Sequence, residues 1–225
     1  MSEKPKRLLP IFPLPNVVFF PETSLPLHIF EARYREMLED ALKGDRTIGI
    51  QLLKPGPAPD LEGRPALFEI GCAGEIVEHD ALEDGRSNIV LRGVYRYRID
   101  AELPVSRSYR VAEVTPLPVQ PLPEIPAAGR SRRELRRLLA KSVERLATSV
   151  GRPEASQLPS RLSDEGLVNE ALSRLGLDAE EGYRLLTMDR LDERYDWAVA
   201  HIESVQKRLD FLEPFRRADV DPRWN

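Results

Sequence analysis

Cys72 and His79 come nearest to nucleophilic chemistry, a thiol and an imidazole seven positions apart. A thiol becomes a nucleophile when a neighbouring base or cation lowers its pKa. Here Gly71, Ala73 and Gly74 surround Cys72, the small-residue setting of a closely packed strand, so a buried, inert thiol is expected. With His28, His79 and His201 the only histidines, no Ser-His-Asp order can be laid out. Lys141 adjoins Ser142, and neighbouring helical residues point in different directions. The carboxylates show no glycosidase or metal pattern, no cysteine-histidine set has zinc spacing, and no G-x-x-x-x-G-K-[ST] loop is present to cradle phosphates. The expectation is no enzyme, no cofactor and no metal.

Two groups of residues could instead bind. His28, Glu31, Arg33 and Tyr34 bring polar and aromatic groups to the junction of an expected strand and helix, with Phe19, Phe20 and Phe30 close by in sequence. They fit either a hydrogen-bonded junction or an edge for an extended peptide, the phenylalanines offering apolar contact beside strand backbone. The second group is a basic face on residues 130–145: Arg130, Arg132, Arg133, Arg136, Arg137, Lys141 and Arg145. A solvated face paired with the acidic helices that follow is one reading; an anion-binding strip for RNA, lacking interleaved aromatics for base stacking, is the alternative.

The elements that must position these groups fall into two halves. Before residue 130, where most of the 20 prolines lie, short β-branched and aromatic segments are punctuated by Pro and Gly. Strands are predicted at 8–12, 23–27, 47–53, 68–79, 87–92, 94–102 and 109–117. In 95–100, Tyr95, Tyr97 and Ile99 alternate with Arg96, Arg98 and Asp100, predicting one buried and one solvated face. Asp84-Gly85 suits a hairpin turn. Pro10, Pro13, Pro15, Pro21 and Pro26 suit edge segments, since each removes a ladder donor. Tyr34, Met37, Leu38, Ala41 and Leu42 form a helical stripe over 31–43, ended by Gly44.

After a proline-rich connector (119–130) the periodicity becomes helical. Ser131 and Glu134 read as a capping box before Leu135, Leu138, Leu139, Val143 and Leu146. Two short helices follow, one running to Gly176 and one opened by Asp178 and Glu181. A closing helix, about 189–213, places Leu191, Tyr195, Ala198, Ile202, Val205, Leu209 and Leu212 at coiled-coil steps before Pro214. That stripe serves either an intramolecular bundle or a weak homodimer.

The chain has 225 residues, enough to bury roughly 70% of its unfolded surface without staples. A net charge of −4 argues against a chain-wide nucleic-acid binder. The single cysteine, and an N-terminus without an apolar run, lead us to expect a cytoplasmic protein with no membrane contact.

The segment FPLPNVVFFPETSLPLHIFEARY (12–34) resembles the opening signature of the N-terminal, substrate-recognition domain of Lon-family proteases, through Pro13-Leu14, Val17-Val18, Phe20-Pro21, Pro26-Leu27, Phe30-Glu31 and Arg33-Tyr34. LFEIGCAGEIVE (67–78) and GVYRYRI (93–99) are similar to that family's second and third motifs, in order; Leu158-Pro159 and the long closing helix fit more loosely. Pro15, Glu22 and Ala32 depart from the family's usual residue types. The resemblance implies an α+β fold: a PUA-like, strongly curved β-barrel-type domain with an inserted helix (1–118), then a helical bundle (131–225). It also implies a stand-alone polypeptide-binding module, an adaptor or holdase in protein quality control, without the family's ATPase and Ser-Lys peptidase. Unfolded or flexible polypeptides, with a protease or chaperone, are the expected partners; nucleic acid is the alternative.

Overall fold

The structure, a computed structural model, describes residues 6–56, 64–124, 126–150 and 162–217, with side chains described except at 126–128, 142–150 and 212–217. Leu158-Pro159 and the side chains of Val143, Arg145, Leu146 and Leu212 lie outside the described residues. The fold is mixed α+β. In order it runs β1 (Arg7–Leu14), β2 (Ser24–Ile29), α1 (Ala32–Lys43), β3 (Thr47–Leu52), β4 (Ile70–Ala81), β5 (Ser87–Leu103), β6 (Arg110–Pro116), α2 (Pro126–Val150), α3 (Asp164–Arg174), α4 (Ala179–Thr187) and α5 (Leu191–Arg217). Among the described residues no helix is long and apolar enough to cross a membrane.

The six strands form one sheet in the order β2-β5-β4-β3-β1-β6, and a further β5–β6 pairing closes five of them into a ring. Only β1 and β3 run parallel. The closure depends on the length of β5, which pairs with β2 through Ser87 to Arg92 and with β6 through Tyr97 to Leu103. The two strands expected at 87–92 and 94–102 are therefore one. Gly93, which looks like a break in the sequence, sits inside the ladder at a close backbone approach: a Cβ there would lie 2.1 Å from the Phe20 carbonyl oxygen. The crossing is fastened by Glu22 N donating to Gly93 O at 2.8 Å and Gly93 N donating to Thr23 O at 2.9 Å. Phe20-Pro21 and the glycine of GVYRYRI thus meet in space.

One core lies between the sheet and α1. Tyr34, Met37, Leu38 and Ala41, spaced for one helical face, bury against Phe12, Phe19, Ile48, Ile50, Ile76 and Leu91. Each such aliphatic side chain contributes about 2 kcal/mol on leaving water. A smaller core fills the ring with Leu9, Ile11, Ala73, Tyr97, Ala112 and Val114. Cys72 is fully buried, as a small apolar residue would be. The Asp84-Gly85 turn forms, with Gly85 at φ 80 and Leu82 N donating to Arg86 O at 2.8 Å.

The alternation in β5 fails at one residue. Arg96, expected on the solvated face, is only 1% exposed because four oxygens from segments 118 and 186–189 enclose its guanidinium. Pro118 follows β6, and 186–189 come with α4, whose N-terminus is capped as the sequence predicts, Glu181 N donating to Asp178 Oδ1 at 2.8 Å. Tyr183 of α4 lays its ring 4.2 Å from that of Phe68 and accepts from Ile70 N at 3.2 Å.

The chain divides into two compact units, Met1–Gln120 with Leu172–Asp189, and Pro121–Ala171 with Arg190–Asn225. Residues 172–189 thus belong with the sheet, which splits the helical half expected as one bundle. In the second unit α2 starts at Pro126, so Ser131 is inside the helix and is not its cap; proline at a first helical position forfeits no hydrogen bond. Leu135, Leu138 and Leu139 of α2 are buried, as are Leu191, Tyr195, Ala198 and Ile202 of α5. The α5 stripe stops there: Leu209 is 47% exposed. The helix also continues past Pro214 to Arg217, since one proline deletes a single i→i−4 bond without always ending a helix. Arg194, fully buried, is held by Asn169 Oδ1 at 3.1 Å and Glu165 Oε1 at 3.4 Å.

Candidate binding site

The residues singled out at the strand-helix junction separate by burial. Phe19 and Phe20 are 4% and 2% exposed and belong to the interior, which withdraws them from any contact surface. The sequence could not show this, because their apolar neighbours suit either environment. His28, Phe30, Glu31, Arg33 and Tyr34 instead line one cavity of about 500 Å³ in the first unit. Phe30 is 60% exposed, an uncommon position for a large aromatic.

Each wall has a local cause. The end of β2 supplies His28, whose Nδ1 lies 2.8 Å from Asn88 Oδ1 and whose ring stacks on Phe30 with centroids 6.0 Å apart. Glu31 is the α1 N-cap residue, yet its carboxylate accepts from Arg33 Nε at 3.0 Å and Nη2 at 2.7 Å and caps no main-chain N-H. The Arg33 guanidinium lies 4.8 Å from the Tyr34 ring centre, and the Tyr34 ring sits 4.2 Å from Phe12. Burial raises the Tyr34 pKa, opposed by the Arg33 charge. The phenol therefore stays neutral at physiological pH.

Sequence reasoning missed the opposite wall. Arg107, Ser108, Tyr109 and Arg110, from a segment read only as the start of a strand, line the cavity with Arg64, Pro13, Leu14 and Pro15. Arg107 Nη1 forms an ion pair with Asp40 Oδ2 at 2.7 Å. Arg110 donates from Nη1 to Pro65 O at 2.7 Å and from Nε to Glu102 Oε2 at 2.8 Å. Tyr109 O-H donates to Asp40 Oδ2 at 2.8 Å, and burial with this bond raises its pKa to about 12. The only available signal was two arginines three apart in SRSYR (106–110), which is common on solvated strands.

Beside the cavity runs the edge strand β2, which among the described residues pairs with β5 alone. Thr23 O accepts from Gly93 N, and the register pairs Leu25, Leu27 and Ile29 with Leu91, Ile89 and Ser87. Antiparallel alternation then turns the backbone groups of Ser24, Pro26 and His28 outward. Pro26 has no N-H, so the middle of that edge lacks a donor and resists a full added strand.

The basic face of α2 lies in the second unit. Arg132 pairs with Asp164, and Arg137 with Glu134. In a cavity of about 610 Å³, Arg130, Arg133 and Arg137 are matched by Glu134, Asp196 and Glu203. Lys141 is exposed and Arg136 half-buried. No set of three or more His, Cys, Asp or Glu among the described residues is arranged to hold a metal ion.

Residues 8–204 match the family model described as "ATP-dependent protease La (LON) substrate-binding domain". The Lon protease of Cytophaga hutchinsonii is 26% identical over 216 residues, covering 92% of this chain and 25% of that protein. Lon protease 2 of Myxococcus xanthus is 31% identical over 108 residues, covering 48% and 13%. The chain thus spans a quarter or less of these relatives. Among solved structures, the Lon N-terminal domain protein from Xanthomonas campestris superposes with a TM-score of 0.59 at 24% identity, covering 86% of this chain and 98% of that one. The N-terminal domain of Mycobacterium avium complex Lon protease gives 0.63 at 15%, covering 88% and 98%. At these identities the two likenesses establish the fold alone.

Proposed function

Since the chain belongs to the ATP-dependent protease La (LON) substrate-binding domain family, we propose that it is a non-catalytic module that holds unfolded or flexible polypeptides. The observation that carries this reading is the cavity in which exposed Phe30 stands with His28, Glu31, Arg33 and Tyr34 beside the β2 edge. Apolar walls with a few fixed polar groups suit side chains of an extended segment, while the outward groups of Ser24 and His28 can hydrogen-bond its main chain. Because Pro26 interrupts that edge, capture relies on side chains seated in the cavity more than on strand addition. The closed sheet supports reading the first unit as PUA-like. We read its role as that of an adaptor or holdase, one that presents the held chain to a protease or chaperone.

The test is binding of a permanently unfolded, reduced and alkylated protein, followed by fluorescence anisotropy. Phe30→Ser should lower affinity about tenfold while leaving the fold intact. A folded sample that neither binds the unfolded chain nor slows its aggregation ends the proposal. The nucleic-acid alternative draws no support from the α2 arginines, whose charges are offset by Asp164, Glu134, Asp196 and Glu203.

A further inference from the structure

The cavity beside Phe30 is lined by four guanidiniums, those of Arg33, Arg64, Arg107 and Arg110, and by one carboxylate, that of Glu31. From this imbalance we infer that the preferred occupant is an extended polypeptide segment in which carboxylate side chains flank an apolar one; the inference rests on the polypeptide-binding reading and names its substrate class. The four arginines are not equivalent. Arg110 already uses its three nitrogens on Pro65 O and the Glu102 carboxylate. It shapes the wall. Arg33 commits Nε and Nη2 to Glu31. Arg107 comes closest to Asp40 and Glu36 through Nη1, and among the described residues neither its Nε nor its Nη2 donates a hydrogen bond, so those donors remain to offer. Arg64 is exposed and has no ion-pair or hydrogen-bond partner among the described residues.

Asp40, Glu36 and Glu102 offset part of this charge, but none of the three lines the cavity. They pair with Arg107 and Arg110, so the donors left for an entering group are those of Arg64 and the Nε and Nη2 of Arg107. An entering carboxylate can take the fork geometry that Arg offers and Lys does not. An ammonium there would meet the charge of Arg64, which no carboxylate among the described residues offsets. The apolar part of the segment has Phe30, Tyr34, Pro13 and Pro15 to contact, and the partly open site weakens each ion pair by solvent. The result is preference, not an absolute requirement for acid.

Three fluorescent peptides test this, each with a central Leu-Phe pair flanked by Asp, by Ser or by Lys, titrated against the full chain. At about 50 mM salt the Asp peptide should bind about fivefold tighter than the Ser peptide and the Lys peptide weakest, with the spread shrinking towards twofold at about 0.5 M. Arg64→Ser and Arg107→Ser should each reduce the Asp advantage, while Phe30→Ser weakens all three peptides together. Equal affinity of the three peptides, with a shared loss in Phe30→Ser, overturns the acidic preference and leaves polypeptide binding standing. An Asp preference that survives both arginine substitutions unchanged assigns it to another surface and also overturns the inference. Failure of all three peptides to bind a folded protein removes both readings.

Discussion

The guanidinium of Arg96 donates from Nη1 to the main-chain carbonyl of Leu186 at 2.9 Å, joining the middle of β5 to the last turn of α4. The same guanidinium reaches Met188 O at 3.0 Å, Pro118 O at 2.9 Å and Asp189 Oδ1 at 3.0 Å. The carbonyls of Leu186 and Met188 sit at the C-terminus of α4, where a helix leaves acceptors unpaired and its dipole is negative, so one buried cation satisfies several groups at once. Arg96 is in this way the fastening between the ring and the helix that covers it.

Replacing Arg96 by Met should therefore cost about 3 kcal/mol, because several carbonyls lose a charged donor away from water. Asp189→Asn should cost no more than about 0.5 kcal/mol, since Asp189 is 56% exposed and solvent replaces it. Urea denaturation of both variants measures the contrast; equal losses would mean that the ion pair, not the carbonyl cage, does the holding.

Gly93→Ala should destabilise by about 3 kcal/mol, since the new methyl would lie 2.1 Å from a main-chain oxygen that the 20–23 crossing cannot move. Gly56→Ala, with nothing within 4 Å, serves as the neutral control. Thermal melts report the difference.

Two phenylalanines ten residues apart should behave oppositely. Phe20→Ser removes a side chain 2% exposed and should cost about 4 kcal/mol. Phe30→Ser, at 60% exposure, should change stability by less than about 0.5 kcal/mol while weakening polypeptide binding. Denaturation and anisotropy on the same samples separate the two effects.

The tyrosines predict an alkaline limit to stability. Tyr109 has its pKa raised from 10.0 to about 12, mainly by burial, and Tyr97 and Tyr195 shift the same way. Between pH 10 and 12 the unfolded chain has released the Tyr109 proton while the folded chain keeps it, so stability falls as pH rises through that window. Tyr109→Phe should make the fall shallower in urea melts recorded against pH; an unchanged slope would discard the assignment.

In the helical unit, Ile202→Glu should melt α5 because Ile202 is 1% exposed, whereas Leu209→Glu should leave helicity intact. Circular dichroism distinguishes them. Sedimentation of Leu209→Glu then tells whether the exposed end of α5 joins two copies.

Much of this protein is written locally. The α1 stripe, the Asp84-Gly85 turn and the Asp178 cap are short-range devices, so they are legible without the fold, and the ordered motifs across 12–99 carry the family. What the tertiary structure alone decided is what covers each face. A two-residue alternation places Arg96 opposite Tyr97 but cannot reveal the carbonyl cage that buries it. Phe19 and Phe30 are the same residue type in similar company; one lies in the core and the other borders the cavity. Arg107 and Arg110 line the same cavity as His28 and Tyr34 only because β6 pairs with β1 and β5, long-range pairings that no local spacing encodes. Burial and charge environment depend on contacts distant in sequence, and for that reason the cavity is specified only by the closed sheet.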